Sequence, residues 1–192
     1  MPRSGRIAAA HLRGARAGSV SNFDALFREH WPRAHRAAYL VVRDAAAAED
    51  IAQEAFLSAI RALDRFDRRR PFGPWLHRIV VNRAIDWTRA RSIRGEVATE
   101  AVGEAALLER EGADAVEAAA PAGAGANPFS DDLSAALGEL SPEHRAVVVL
   151  RYLLEYTPGE IAGMLELPRG TVNSRLRRAL DQLGASLGEV RS

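Results

Sequence analysis

The sequence predicts an all-α protein built as two small helical domains joined by a flexible acidic linker, and three observations lead there. Apolar residues recur every three or four positions in two separate blocks, strand-like alternation is absent from both, and an aperiodic Ala, Gly and Glu tract lies between them. A chain of 192 residues holds two small domains comfortably, since domains commonly run to about 100–150 residues. Hydrophobic residues at 47% and charged residues at 27% are ordinary globular usage, so the two blocks have the apolar surface to fold.

The elements follow in order. Residues 1–20, rich in Arg, Ala, Gly and Ser, read as a mobile basic arm. The first domain spans 21–92. Ser21 and Asp24 have the spacing of a capping box ahead of Phe23, Leu26, Phe27, Trp31, Ala34, Ala38 and Val41, which makes a helix with Pro32 as its kink point. Asp44 is placed to cap a second helix whose apolar stripe is Ala48, Ile51, Ala52, Ala55, Phe56, Ala59, Ile60 and Leu63, with Asp50, Gln53, Glu54 and Arg61 on the opposite face. Asp67 to Pro74 carries three arginines, two prolines and a glycine and reads as a loop, with Pro74 in the first turn of the next helix. That third helix buries Leu76, Ile79, Val80 and Ala84 and turns Arg78, Asn82, Asp86 and Arg89 outward.

Periodicity fades from Ile93, and 93–129 is the linker, with room for a short helical patch at Val102 to Arg110. The second domain, 130–190, has three legible starts: Ser130 before Leu133 to Leu140, Ser141 with Pro142, and a capping box at Thr157 and Glu160 with Pro158 in first position. A last helix after Pro168 buries Val172, Leu176, Ala179, Leu180 and Leu183.

The formal net charge of +1 conceals an uneven distribution. From Arg65 to Arg94 stand Arg65, Arg68, Arg69, Arg70, Arg78, Arg83, Arg89, Arg91 and Arg94 against Asp67 and Asp86, which makes this segment a candidate phosphate-binding surface. The linker is the reverse, with Arg110 as its one base among many acids from Gly95 onward. The absence of cysteine excludes disulfides, thiolate zinc sites and cysteine nucleophiles. No apolar run approaches the roughly 20 residues of a membrane span, and the first residues lack a signal-peptide core, so the expectation is a cytoplasmic protein without membrane insertion.

Thr157 to Leu180, TPGEIAGMLELPRGTVNSRLRRAL, reads as a helix-turn-helix: a capped helix, a turn at Glu166 to Pro168, and a longer basic helix of major-groove dimensions. Ile161, Ala162 and Leu165 pack on Val172 and Leu176, leaving Arg169, Thr171, Asn173, Ser174, Arg177 and Arg178 to meet DNA. Arginine reads guanine edges and asparagine reads adenine. The other reading of the same residues is a solvated basic face.

Both blocks resemble the extracytoplasmic-function (ECF) class of bacterial RNA polymerase sigma factors. AEDIAQEAFLSAI at Ala48 to Ile60 and WLHRIVVNRAIDWTRAR at Trp75 to Arg91 resemble that family's region 2; EIAGMLELPRGTVNSRLRRAL resembles its region 4. The resemblance implies that Asp50, Gln53 and Glu54 dock on core polymerase, where the residues alone read first as a solvated face. It implies that the loop and third helix capture the non-template strand of the minus-ten element, with Arg69, Arg70, Arg78, Asn82, Asp86 and Arg89 as contacts. Region 4 would then read the minus-thirty-five element. Trp75 is assigned to the core; Phe72 and Trp87 fit either core or base stacking. Two positions depart from the family: Asn173 often carries a basic residue there, and many relatives differ at Arg177. The implied partners are core RNA polymerase, promoter DNA and an anti-sigma factor, with no cofactor and no metal.

Elements about two DNA turns apart lie roughly 70 Å from one another. A flexible chain of about 35–40 residues averages near 35 Å but reaches beyond 110 Å when extended, so the linker bridges them only when stretched. Two other functions fit parts of the sequence. An autonomous dimeric helix-turn-helix repressor leaves the first domain unexplained, and a nuclease built on Asp44, Glu49, Asp50 and Glu54 lacks a histidine at ligand spacing.

Overall fold

The computed structural model describes residues 10–12, 14–15, 19–67, 70–105 and 131–189. Helix α1 is Val20–Val42, α2 is Ala45–Arg61, a 3-10 turn covers Leu63–Arg65, and α3 is Phe72–Ala105. The second module has α4 Asp131–Glu139, α5 Pro142–Val148 continuing into a π turn at Val149–Leu153, α6 Pro158–Leu165 and α7 Arg169–Glu189. Among the described residues there is no strand.

The first module forms because three amphipathic helices share one apolar seam. Ala34, Ala37, Ala38, Ala48, Ala52, Ala55 and Ala59 are all wholly buried, and their small side chains let α1 and α2 approach closely around Leu26, Phe56, Leu76 and Val80. Arg43 closes α1 in the left-handed region at φ 61°, its N–H donating to Tyr39 O, and the chain turns straight into α2. There Asp44 caps as its sequence position predicts: Oδ1 accepts from Ala47 N at 3.0 Å, while Oδ2 accepts from Arg91 of α3 at 2.9 Å.

Several expectations need correction. The capping box at Ser21 and Asp24 does not form. Helix α1 starts one residue earlier, at Val20, and Ser19 stands at its cap position without a side-chain cap bond. The Ser19 hydroxyl instead accepts from Asn22 Nδ2 at 2.8 Å, and Asp24 turns along the helix to Arg28 at 2.9 Å. Pro32 lies within a continuous helix. The arm is not wholly separate either: residues 10–12 and 14–15 are helical and Leu12 is buried in the core. The loop after the 3-10 turn is shorter than expected, because Phe72 is buried and already belongs to α3.

Helix α3 also outruns the expected domain end at residue 92, continuing to Ala105. The segment from Ser92 lacks an apolar period, but half of it is Ala, Glu and Arg, which are good helix formers, and it carries no proline to stop it. Most of the linker, residues 106–130 with the second half of the expected helical patch, lies outside the described residues.

The second module is organised by local chemistry. Ser141 accepts from His144 N at 3.3 Å ahead of α5, and Thr157 and Glu160 make the reciprocal capping box ahead of α6. The module's core closes around Leu140, Val147, Leu150, Ile161 and Val172. Leu180, expected inside, is 44% exposed, because the inward stripe of α7 runs through Val172, Leu176, Ala179 and Leu183 and passes beside it.

The two modules pack on each other. The Arg145 side chain of α5, only 6% exposed, donates across the boundary to Val41 O at 2.6 Å and within its own module to Gly138 O at 3.0 Å and Leu140 O at 2.7 Å. Burial, and then neighbouring Arg43, hold its pKa down to about 10, so it stays charged at neutral pH. Arg43 donates to Ser134 Oγ at 2.7 Å. His77 of α3, also buried, shares a 2.7 Å hydrogen bond through Nδ1 with the Tyr156 hydroxyl. Burial, then the positive fields of His30 and Arg33, lower the His77 pKa to about 4.

Both the cap and the buried histidine can be tested by unfolding. Asp44→Ala should cost about 1 kcal/mol in urea unfolding at pH 7. Asp44 is held below the ordinary carboxylate range by the Ala47 N–H and then Arg91, so this difference should be full above about pH 5 and vanish as the pH falls through the folded value. For His77 the folded value of about 4 lies below the unfolded one of about 6.5, so the unfolded chain binds the extra proton between them. Stability should therefore decline from pH 7 towards pH 4, and His77→Gln should flatten that decline; an identical slope in the variant would remove His77 from the linkage.

Candidate nucleic-acid interface

Helix α3 presents the arginine-rich stripe. Arg78, Asn82, Asp86 and Arg89 follow one another along one side, with Arg78 and Asn82 half-buried and Asp86 and Arg89 exposed. Arg70 is exposed in the preceding loop and lies 3.9 Å from Asp67; Arg69 lies outside the described residues. The aromatic residues divide by place. Phe72 is buried, and Trp75 packs on Phe66 at 4.6 Å and Phe72 at 5.7 Å between ring centroids, which makes both part of the core. Trp87 is half-buried with the Arg91 guanidinium 5.2 Å from its ring centre, in cation-π range.

The stripe is not open to solvent along its whole length. Arg78 forms an ion pair with Glu166 of the second module, and Arg89 Nε donates to Glu143 Oε1 at 2.8 Å. On Glu143 burial acts upward, but the hydrogen bond and charge of Arg89, helped by Arg175, outweigh it and lower the pKa.

The second module carries the other face. Glu166 turns the chain between α6 and α7 in the left-handed region at φ 55°, and Leu167 N donates to Ala162 O at 3.0 Å, which fixes the angle of the helix-turn-helix. From that turn α7 displays Arg169, Asn173, Ser174, Arg177 and Arg178, all exposed, with Thr171 half-buried. The Ser174 hydroxyl donates back to Thr171 O at 2.9 Å, and Arg177 lies 3.8 Å from Asp181. Ile161 and Val172 are buried between the two helices and Leu165 packs partly against them, as the spacing predicts.

On α2, Asp50, Gln53 and Glu54 share one exposed face. They are not equivalent. Gln53 Nε2 donates to Glu49 Oε1 at 3.1 Å, and Glu54 accepts from Arg83 of α3 at 2.6 Å, with Arg83 also donating to Ser58 Oγ at 2.8 Å. Arg83 thus braces the acidic face against the helix that bears the arginine stripe.

Sequence reasoning named Arg83 only within the basic segment and Glu166 only as the start of the turn, and did not single out His77, Glu143 or Arg145. His77 and Arg145 had a signal, since each sits beside buried apolar residues on the inward side of its helix. Nothing local marks Glu143 or Glu166, whose partners lie 54 and 88 residues away.

Residues 26–93 match the family Sigma-70 region 2, and residues 130–183 match the family Sigma-70, region 4. The chain is 34% identical over 173 residues to the ECF RNA polymerase sigma factor SigE of Mycolicibacterium smegmatis, covering 86% of this chain and 61% of that protein. It is 35% identical over 184 residues to the ECF RNA polymerase sigma factor SigM of Mycobacterium tuberculosis, covering 95% of this chain and 83% of SigM. Among solved structures it resembles CnrH, determined in complex with the cytosolic domain of CnrY, at a TM-score of 0.65 and 26% identity over 95% of this chain and 98% of that one. Both regions in their proper order, with near full-length likeness to SigM, place the chain in the extracytoplasmic-function family of RNA polymerase sigma factors, the proteins that direct the polymerase to its promoters.

Proposed function

We propose that the chain divides promoter recognition between its modules: the first docks on core polymerase and captures the melted minus-ten strand, and the second reads the minus-thirty-five element. The observation that carries this division is the segregation of charge. An acidic face on α2 stands apart from an arginine stripe on α3, and a third, separate face on α7 combines Arg169, Arg177 and Arg178 with Asn173. Carboxylates and amides suit a protein docking surface, spaced arginines suit phosphates, and an arginine and asparagine pattern on a helix after a tight turn suits base edges in the major groove.

Within the first module, Arg70, Arg78 and Arg89 are the phosphate contacts, with Arg69 beside them in sequence, and Asn82 with Asp86 supplies polar groups for an unstacked base edge. Of the acidic residues Asp50 is the principal docking group, because Glu54 is engaged with Arg83. The chemistry of RNA synthesis belongs to the polymerase, so the chain acts without being an enzyme. It works in the cytoplasm alongside the polymerase; among the described residues no helix is long and apolar enough to cross a membrane. CnrH was determined in complex with the cytosolic domain of CnrY, which supports a further protein partner here, and the anti-sigma factor that the family resemblance implies is our reading of it.

A gel shift on promoter DNA with and without core polymerase tests the reading at its root. Retardation should require the core; equal retardation without it would favour an autonomous repressor. Asp50→Arg should abolish co-purification with core polymerase while leaving the helical circular dichroism unchanged, and recovery of the variant with core at parental yield would remove α2 as the docking face. For α7, Arg178→Ala or Asn173→Ala in holoenzyme should cost about 1–3 kcal/mol at one position of a randomised minus-thirty-five library and relax preference there. A phosphate contact would instead weaken every sequence alike and reduce the salt slope.

A further inference from the structure

A cleft of about 440 Å³ opens where the end of α1, the middle of α3 and the second module meet. Its volume falls within the range of small-molecule sites, about 300–1,000 Å³. Three guanidinium groups line it, those of Arg43, Arg91 and Arg145, and among the described residues no carboxylate does. None of the residues assigned above to DNA or to polymerase docking lines it.

The three cations differ in how far they are already engaged. Arg145 is 6% exposed; its Nη atoms donate to carbonyl oxygens, and its Nε is buried without a partner. Burial and then the field of Arg43 lower its pKa, so the two cations sense each other. Arg43 donates through Nη1 to Ser134 Oγ at 2.7 Å. Its Nη2 and Nε are the atoms that a Cβ on Gly138 would meet, at 3.6 and 3.8 Å, so the glycine leaves that edge of the guanidinium uncovered. Arg91 donates to Asp44 Oδ2 at 2.9 Å, and that carboxylate offsets one of the three charges. Two charges remain, which suits a diphosphate, an anion of roughly two to three charges at neutral pH. The planar edge of a guanidinium matches phosphate oxygens.

The rest of the lining is chemistry that a bare phosphate does not use. The Arg91 guanidinium lies 5.2 Å from the centre of the Trp87 ring, and indole and guanidinium planes both stack on nucleobases. Beside Trp87, the Thr88 hydroxyl donates to Ala84 O at 2.8 Å and keeps lone pairs to accept from a ribose hydroxyl or a base N–H.

We propose that this cleft is a binding site for a purine nucleoside diphosphate: Arg43 binds the phosphates in the positive field of Arg145, Arg91 with Trp87 stacks the base, and Thr88 accepts from the sugar or the base. A purine is the base chosen because it offers the larger stacking face. The chain thereby has a small-molecule input separate from its promoter contacts and from the acidic face of α2.

The test is equilibrium dialysis of the full chain against radiolabelled ADP, with GDP in parallel and with inorganic pyrophosphate and adenosine as competitors. Pyrophosphate or adenosine alone should compete about tenfold or more weakly than unlabelled ADP, since each supplies half of the contacts. Arg43→Gln should weaken ADP about tenfold, the scale of a lost charge-assisted hydrogen bond. Gly138→Phe removes no charge and fills the cleft, and should abolish binding; circular dichroism checks that helicity is parental. Should that variant lose helicity, Ser92→Trp fills the mouth of the cleft from an exposed position on α3.

Competition by pyrophosphate as strong as by ADP would mean a phosphate-only site and overturn the nucleotide assignment. Nucleotide binding that survives both Arg43→Gln and the filled cleft would put the ligand on the exposed arginines elsewhere and overturn the site. So would the absence of binding by both ADP and GDP at cellular nucleotide concentrations. A filled-cleft variant that loses a single-stranded oligonucleotide together with ADP would make the cleft a stretch of nucleic-acid surface instead.

Discussion

The arrangement of the molecule turns on the Arg145 guanidinium, a buried cation whose described hydrogen-bond partners are carbonyl oxygens rather than a carboxylate. Taking a guanidinium out of water is costly unless its protons are satisfied, and here two helix ends take bonds from both Nη atoms, while Nε is buried without a partner. Val41 O belongs to the last turn of α1, while Gly138 O and Leu140 O belong to the end of α4 and the residue beyond it. Helix C-termini carry partial negative charge and carbonyls without intrahelical partners, so the cation answers a need that both helices have. Since α1 belongs to the first module and α4 to the second, one side chain fixes how the two halves meet. The neighbouring contacts, Arg43 on Ser134 and His77 on Tyr156, depend on that registration.

The near-neutral net charge takes on a different meaning in this light. By sequence the arginines of α3 are offset by the acids of the linker. In space, Arg78, Arg83, Arg89 and Arg91 are paired with Glu166, Glu54, Glu143 and Asp44, acids drawn from the structured modules. Four of the nine arginines of the basic segment are therefore individually answered. Each pair is exposed enough to be worth little alone.

What was legible in the sequence was what local chemistry decides. The caps at Asp44, Ser141 and Thr157 with Glu160 form as their spacing implies, because a side-chain oxygen two or three residues ahead of an N–H needs no tertiary help. The α2 stripe and the helix-turn-helix were readable for the same reason, as apolar period fixes which side is buried. Ser21 failed as a cap because the helix found an earlier start, and Leu180 failed as a core residue because it lies one position outside the inward line of α7. The length of α3 escaped because period signals burial, and a helix can persist on propensity without it. The candidate surfaces were visible as residue types on faces. Their pairing across the modules was not, since the relation of Glu143 to Arg89 or of Glu166 to Arg78 exists only once both domains are folded and together.

Asp44 divides its duties between its two oxygens, Oδ1 accepting the Ala47 N–H that begins α2 and Oδ2 accepting Arg91 from α3. If Arg91 swings away to a stronger anion, the vacated oxygen is the outer one and turns to water, while the oxygen that starts the helix keeps its proton donor. The division is geometric: loss of Arg91 leaves the Ala47 N–H its own acceptor, while the negative charge is shared by both oxygens. With a single shared acceptor the helix start and the arginine would compete for one oxygen; the carboxylate's second oxygen gives each its own place.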